Sequence, residues 1–86
     1  MSYKVELSTY AIRQLKKIAP AQGELIKASI KKLSNDPRPG NHIKLTNYEV
    51  YRIRVGNFRV MYEIEDAKLH VMVIEIADRK EVYKKR

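Results

Sequence analysis

Arg52, Arg54 and Arg59 are the residues of this 86-residue chain whose type and spacing point most directly to chemistry. They flank Gly56-Asn57, and on either side of that pair apolar and polar residues alternate. This period of two predicts a strand from Val50 to Val55, a two-residue turn, and a returning strand from Phe58 to Glu65. Pairing through the turn sets Val55 against Phe58, Arg54 against Arg59, Ile53 against Val60 and Arg52 against Met61. One face then reads Tyr51, Ile53, Val55, Phe58, Val60, Tyr62, Ile64 and belongs to a core. The other reads Arg52, Arg54, Arg59, Met61, Glu63. A slip of one residue would bury the arginines, so the register is well determined. Like charges directly opposite on a sheet are unfavourable by roughly a few tenths of a kcal/mol or more. Folding alone does not favour that pairing, and Glu63 and Glu75 are too few to neutralise three guanidinium groups. Guanidinium groups grip phosphate bidentately, so a polyanion is the expected ligand.

The C-terminal segment adds to the same patch. A tight turn at Asp66-Ala67 leads into a last strand from Leu69 to Ile76. That pairing sets Arg59 beside Ile74 and brings Ile76 level with the Gly56-Asn57 end. Asp78 to Tyr83 then leaves the sheet there. Arg79 and Tyr83 are four residues apart, so one helical turn stacks them on one side. A tyrosine ring offers a platform for an unpaired base.

The remaining elements must position these groups. Tyr3, Val5 and Leu7 alternate with Lys4 and Glu6 and read as a first strand. Ser8 or Thr9 caps a helix that carries Ala11, Leu15 and Ile18 on one stripe. Pro20 ends it and suits the first turn of a second helix running to about Leu33. In that helix Leu25, Ile26, Ile30 and Leu33 face inward, and Lys27, Lys31 and Lys32 form a solvated outer face. Asn35-Asp36-Pro37-Arg38-Pro39-Gly40 is a helix stop and loop. The order β-α-α-β-β-β predicts an α+β fold. Two N-terminal helices cover one face of a four-stranded, mainly antiparallel sheet, with the first strand at an edge and a short helical or irregular C-terminal tail.

Composition sets the outer limits. Eighteen Lys and Arg against ten Asp and Glu give a net charge of +8, and 44% of residues are hydrophobic. One domain over residues 1–86, with a real core and a polyanionic partner, is expected. The absence of cysteine excludes a disulfide framework, thiolate metal sites and a thiol nucleophile. His42 and His70 are isolated and show no metal-ligand spacing, so no metal is expected. Three glycines form no phosphate loop, no serine sits near either histidine, and no cofactor is expected. No apolar run approaches the ~18 residues of a membrane span, and the Met-Ser-Tyr-Lys start has no signal-peptide stretch. The expected location is the cytoplasm, with no membrane association.

Several blocks in combination carry a family resemblance over nearly the whole chain. They are Leu15-Lys16-Lys17, Asp36-Pro37-Arg38-Pro39, Lys44-Leu45, the stretch from Tyr51 to Glu63, and Arg79-Lys80-Glu81-Val82-Tyr83. The sequence resembles the RelE/ParE superfamily of toxin–antitoxin toxins, and within it the RelE branch. The resemblance implies a ribosome-dependent endoribonuclease that cuts mRNA in the decoding site and is silenced by a co-expressed antitoxin. It also implies a metal-independent attack of the ribose 2′-hydroxyl on the adjacent phosphate, leaving a 2′,3′-cyclic phosphate and a 5′-hydroxyl. On that pattern Arg52 and Arg54 match the basic pair of the first meander strand. Arg59 matches the phosphate-binding arginine, Arg79 the arginine of the C-terminal motif, and Tyr83 the tyrosine that stacks on or orients the nucleotide. Lys44, Lys80, Lys84 and Lys85 complete the expected RNA-binding set.

Two positions depart from the pattern. Arginines stand at 52 and 54 where some active members carry lysines, and Asp78 stands where many relatives have histidine. A guanidinium stabilises a phosphorane but, with a pKa above ~12, is a poor general base. Tyr83, Lys80, Glu75, Asp78 or a ribosomal group can serve as the base, and an active but slow nuclease is expected. The competing readings are a ParE-like inhibitor of DNA gyrase and a non-catalytic basic RNA-binding module. Besides mRNA and the ribosome, the expected partner is an acidic, partly disordered antitoxin that folds on binding.

Overall fold

The computed structural model describes residues 2–45 and 49–78. In chain order these form β1 (Lys4–Leu7), α1 (Thr9–Lys16), α2 (Pro20–Lys32), β2 (Ile43–Lys44), β3 (Val50–Val55), β4 (Phe58–Glu65), a 3₁₀ turn (Asp66–Lys68) and β5 (His70–Asp78). The strands make one sheet in the order β1-β5-β4-β3-β2. β1 runs parallel to β5 at one edge, and the other pairs are antiparallel. The α+β class and the edge position of the first strand agree with expectation, but the sheet has five strands rather than four. The additional strand β2 is held by pairing of Ile43 with Arg52 and Lys44 with Tyr51. Two residues are too few to show any periodicity.

Local chemistry starts each helix. Ser8 is in extended backbone, and its Oγ accepts the Ala11 N–H at 3.0 Å, capping α1. The same hydroxyl donates to the Ile74 carbonyl at 3.1 Å, tying the helix start to β5. Pro20 opens α2, where its missing N–H is no loss. Ala11 is fully buried, and Leu15 and Ile18 pack against the core from partly buried positions. The buried stripe of α2 and its C-cap is Gly23, Ile26, Ile30 and Leu33. Leu25 is not part of it and is 61% exposed. Successive helical residues are turned by about 100°, so a stripe centred on Ile26 carries its neighbour away from the sheet.

Replacing Ser8 by alanine removes the cap and the bond to β5 together. A cap contributes about 1 kcal/mol and a part-buried hydrogen bond a similar amount. The expected loss of about 2 kcal/mol lowers the melting temperature by roughly 8–16 °C for a domain of this size. Thermal denaturation followed by circular dichroism measures it.

The hairpin of β3 and β4 has the expected register: Val55 with Phe58, Arg54 with Arg59, Ile53 with Val60 and Arg52 with Met61. Gly56 has φ +58° and Asn57 does not share the positive φ. A positive φ at the first central position alone is the pattern of a type II′ turn, whose twist suits a two-residue hairpin. Tyr51, Ile53, Phe58, Val60, Tyr62 and Ile64 are buried beneath the helices with Val71, Val73 and Ile76 of β5.

The pairing of β4 with β5 differs from expectation. Arg59 is opposite Ala77, not Ile74, and Asp78 rather than Ile76 is level with Phe58. Two of the three residues of offset come from the turn. It uses the 3₁₀ turn plus Leu69 in left-handed backbone, and so joins Glu65 to His70. The third comes from an irregularity at Met61/Tyr62, where Tyr62 pairs with Val73 and Met61 with Glu75, leaving Ile74 as a bulge. Beyond the end of β1, α1 satisfies the edge of β5: Ser8 takes the bulged carbonyl, and Gln14 Oε1 accepts the Ile76 N–H at 2.6 Å.

The loop after α2 is stapled over the opposite end of the core. Tyr62 donates its buried hydroxyl to the Pro37 carbonyl at 2.7 Å. Arg38 grips both oxygens of Asp66 at 3.2 and 2.9 Å, reaches the Tyr51 hydroxyl at 3.2 Å, and lies 5.1 Å from the centre of that ring. Tyr3 donates its hydroxyl to the same carboxylate at 2.7 Å. Arg38 and Tyr3 together hold the Asp66 carboxyl below the usual carboxylate range. A carboxyl with a depressed folded-state pKa contributes stability above its unfolded value and loses it as pH falls through the folded one. Acid titration of stability is therefore expected to be steeper in the wild type than in Asp66→Asn, as measured by urea midpoints between neutral pH and pH ~3. Among the described residues, no helix is long and apolar enough to cross a membrane.

Candidate nucleic-acid interface

The sheet face turned away from the helices carries the candidate residues. Because directly paired residues share a face, the register places Arg52, Arg54, Arg59, Met61, Glu63, Met72, Glu75 and Ala77 on this side. In a two-residue hairpin the second pair from the turn, here Arg54 and Arg59, is of the non-hydrogen-bonded kind. Its Cα atoms approach to about 4.5 Å, closer than in a bonded pair. Two guanidinium side chains thus rise side by side next to the turn, with Arg52 two residues along. Arg54, Arg59, Gly56, Asn57 and Phe58 line a hollow of about 110 Å³ beside it, room for several waters.

The charges on this face are left over by folding. The ion pairs among the described residues are Lys4–Glu6, Lys27–Glu24, Arg38–Asp66, Lys44–Glu49, Lys68–Glu65 and His70–Glu6; none uses Arg52, Arg54 or Arg59. Neutralisation by Glu63 or Glu75 does not occur. Arg59 Nε is buried with no hydrogen-bond partner among the described residues. A buried N–H without an acceptor costs roughly 1–3 kcal/mol, more when the group is charged. An anionic oxygen entering the hollow would supply the acceptor, and paired guanidiniums are suited to the non-bridging oxygens of a phosphodiester.

The other expected residues are dispersed or lie elsewhere. Lys44 is in register with the buried Tyr51, so it stands on the helix side of β2, ion-paired with Glu49 at 3.5 Å. The β2 residue on the arginine face is Ile43, 49% exposed beside Arg52. No sequence pattern marks it, because a two-residue strand shows no periodicity. Met61 lies on the arginine face as expected, and Met72 joins it through its pairing with Glu63; both are partly exposed. Arg79, Lys80, Tyr83, Lys84 and Lys85 lie outside the described residues. Asp78, the last described residue, is level with Phe58, next to the turn.

Neither histidine belongs to the arginine cluster. His42 Nδ1 lies 2.6 Å from the Pro39 carbonyl, and its ring is tilted against Tyr51. His70 is not isolated: its Nε2 lies 2.6 Å from Glu6 Oε1, bridging β5 to β1. That contact, with Lys4 nearby, holds the Glu6 carboxyl below its usual range. Among the described residues no group of three or more His, Asp and Glu side chains is arranged to hold a metal ion.

Comparison with known proteins matches this architecture to one group. A family model described as the ParE toxin of type II toxin–antitoxin systems, parDE, matches residues 5–83. A putative toxin RelE1 of Methanocaldococcus jannaschii is 28% identical over 88 residues, covering 98% of both chains. Toxin RelG of Mycobacterium tuberculosis is 26% identical over 87 residues, covering 99% of this chain and 100% of its own. The isolated RelE toxin of E. coli superposes with a TM-score of 0.79 at 25% identity over 98% of this chain and 94% of that one. A chain of the archaeal RelE–RelB complex from Pyrococcus horikoshii gives a TM-score of 0.83 at 22% identity, over 92% and 97% of the two chains. With the family matched over almost its full length and the sheet and helices superposing on RelE, the chain belongs to the RelE/ParE superfamily of toxins of type II toxin–antitoxin systems.

Proposed function

We propose that this toxin is an mRNA endoribonuclease of the RelE type that acts on the ribosome. The observation that carries the reading is the arginine face: Arg54 and Arg59 are side by side, Arg52 is adjacent, and none is ion-paired to a carboxylate among the described residues. In this reading Arg54 and Arg59 hold the non-bridging oxygens of the scissile phosphate and stabilise the charge that grows on them in the pentacovalent transition state. Arg52 holds the neighbouring backbone. Arg79 is assigned to the same phosphate, and Tyr83 to stacking on the nucleotide, as the family resemblance implies. The 2′-oxygen bonds to phosphorus, the bond to the 5′-oxygen breaks, and the products are a 2′,3′-cyclic phosphate and a 5′-hydroxyl.

The partner in this reading is an acidic antitoxin. Solved complexes of RelE with RelB from Pyrococcus horikoshii and Methanococcus jannaschii, and of RelBE2 from Mycobacterium tuberculosis, support it by similarity. The net charge of +8 suits an acidic chain. The ParE description of the matched family supports a second reading, inhibition of DNA gyrase. Primer extension on a translated mRNA, with and without ribosomes, separates the two. Ribosome-dependent cuts ending in a cyclic phosphate support the nuclease. Intact transcripts together with DNA-damage signalling overturn it in favour of gyrase poisoning, and intact transcripts with salt-sensitive RNA binding leave a non-catalytic RNA-binding module.

A further inference from the structure

The arginine face supplies electrostatic stabilisation but, in its guanidiniums, no group that accepts a proton. The backbone geometry of β5 supplies one. Val71 and Val73 are fully buried, so unbroken alternation would carry Glu75 into the core and Ile74 and Ile76 out to solvent. The bulge at Ile74 reverses this. Ile76 is 2% exposed, and Glu75 pairs with Met61 on the arginine face. Bulges recur next to active sites, where they re-aim a side chain.

Glu75 is also the best placed of the carboxylates. Arg59 is opposite Ala77, so Glu75 is its diagonal neighbour on the adjacent strand. Such neighbours are about 7–8 Å apart at Cα, within reach of long side chains. Glu75 makes no ion pair or side-chain hydrogen bond among the described residues, although it is only partly exposed. Asp78 is level with the buried Phe58 and so belongs to the helix side of the sheet. Glu63 shares the arginine face but pairs with Val50 and Met72, two rows further from Arg59 than Glu75 is.

We infer that Glu75 is the general base of the cleavage reaction, an assignment that rests on the nuclease reading above. Its carboxylate takes the proton of the ribose 2′-hydroxyl as the 2′-oxygen bonds to phosphorus. The bond from phosphorus to the 5′-oxygen breaks, and that oxygen leaves as a hydroxyl with a proton drawn from water. Protonated Glu75 returns its proton to solvent, which restores the balance. Arg59 meanwhile holds the non-bridging oxygen, so base and clamp come from adjacent strands.

The test is single-turnover cleavage of ribosome-bound mRNA by wild type, Glu75→Gln, Glu75→Asp, Glu63→Gln and Arg59→Ala, with ribosome binding measured by co-sedimentation. General base catalysis contributes about 10²–10⁴-fold, so Glu75→Gln is expected to slow the bound reaction by at least about 100-fold. Binding and melting temperature stay unchanged, Glu75→Asp recovers part of the rate, and Glu63→Gln behaves as wild type. Cleavage by Glu75→Gln within about threefold of wild type, while Arg59→Ala is inactive, overturns the assignment and leaves the nuclease reading standing. A loss confined to ribosome binding, with the bound rate intact, overturns it equally. No cleavage by the wild type overturns both.

Discussion

Arg59→Met is expected to lose cleavage and gain stability at the same time. On the activity side, removing one preorganised donor to a developing oxyanion typically lowers the rate by about 10²–10³-fold. On the stability side, the fold sets Arg59 against Arg54 and buries Nε without a hydrogen-bond partner among the described residues. Methionine keeps the length of the apolar stem, removes the like-charge contact and leaves no unsatisfied donor. Relief of the like-charge contact favours folding by up to about 1 kcal/mol, and loss of the unpaired buried donor by roughly 1–3 kcal/mol. The melting temperature should therefore rise by at least about 5 °C while primer extension shows transcripts left intact. Arg59 would be purely structural if the variant melted lower and still cut at the wild-type rate. Arg38→Met should show the opposite pattern, because that guanidinium is satisfied by Asp66 and Tyr51 and staples the loop to the sheet.

Tyr62→Ala should be the most damaging single change among those considered. Its side chain is fully buried, stacks on Tyr51 with ring centres 5.9 Å apart, and donates to the Pro37 carbonyl. Truncating a buried aromatic ring costs about 3–5 kcal/mol, a large part of the total stability of a small domain. Tyr62→Phe isolates the hydroxyl, and leaving the Pro37 carbonyl unpaired costs about 1–2 kcal/mol. The pair of variants also reports on pH. Burial pushes the Tyr62 hydroxyl from the usual 10 up to about 12. A raised folded-state pKa means the contribution is complete below the unfolded value and is lost as pH rises between about 10 and about 12. Alkaline denaturation should thus be shallower in Tyr62→Phe than in the wild type, read from urea midpoints across that interval. Equal slopes would show that Tyr62 ionises as freely in the folded protein as in the unfolded one.

The hairpin was legible because two constraints agreed. Gly56-Asn57 fixes the turn, and the alternation from Val50 to Glu65 tolerates one register only. The chain that follows obeyed neither rule cleanly. Leu69 adopts left-handed backbone, which its side chain gives no reason to anticipate, and lengthens the turn by two residues. The bulge at Ile74 has no composition of its own, since Val73, Ile74 and Ile76 are all strand formers. Its carbonyl is satisfied by Ser8, 66 residues away, and such a long-range bond leaves no trace in local sequence. Arg38 shows the same limit. Its neighbours in sequence mark only a helix stop and loop, and the approach of Asp66, Tyr51 and Tyr3 alone shows that its charge is consumed by the fold.

By itself, then, the sequence determined which residues oppose each other across the first hairpin and that three arginines share its outer face, because side-chain parity and turn geometry act over a few residues. It took the packed layers to settle which arginines of that face join no ion pair among the described residues and which carboxylate shares the face with them. Those outcomes depend on a bulge and on ion pairs between segments far apart in the chain, whose energies exist only once the layers have packed.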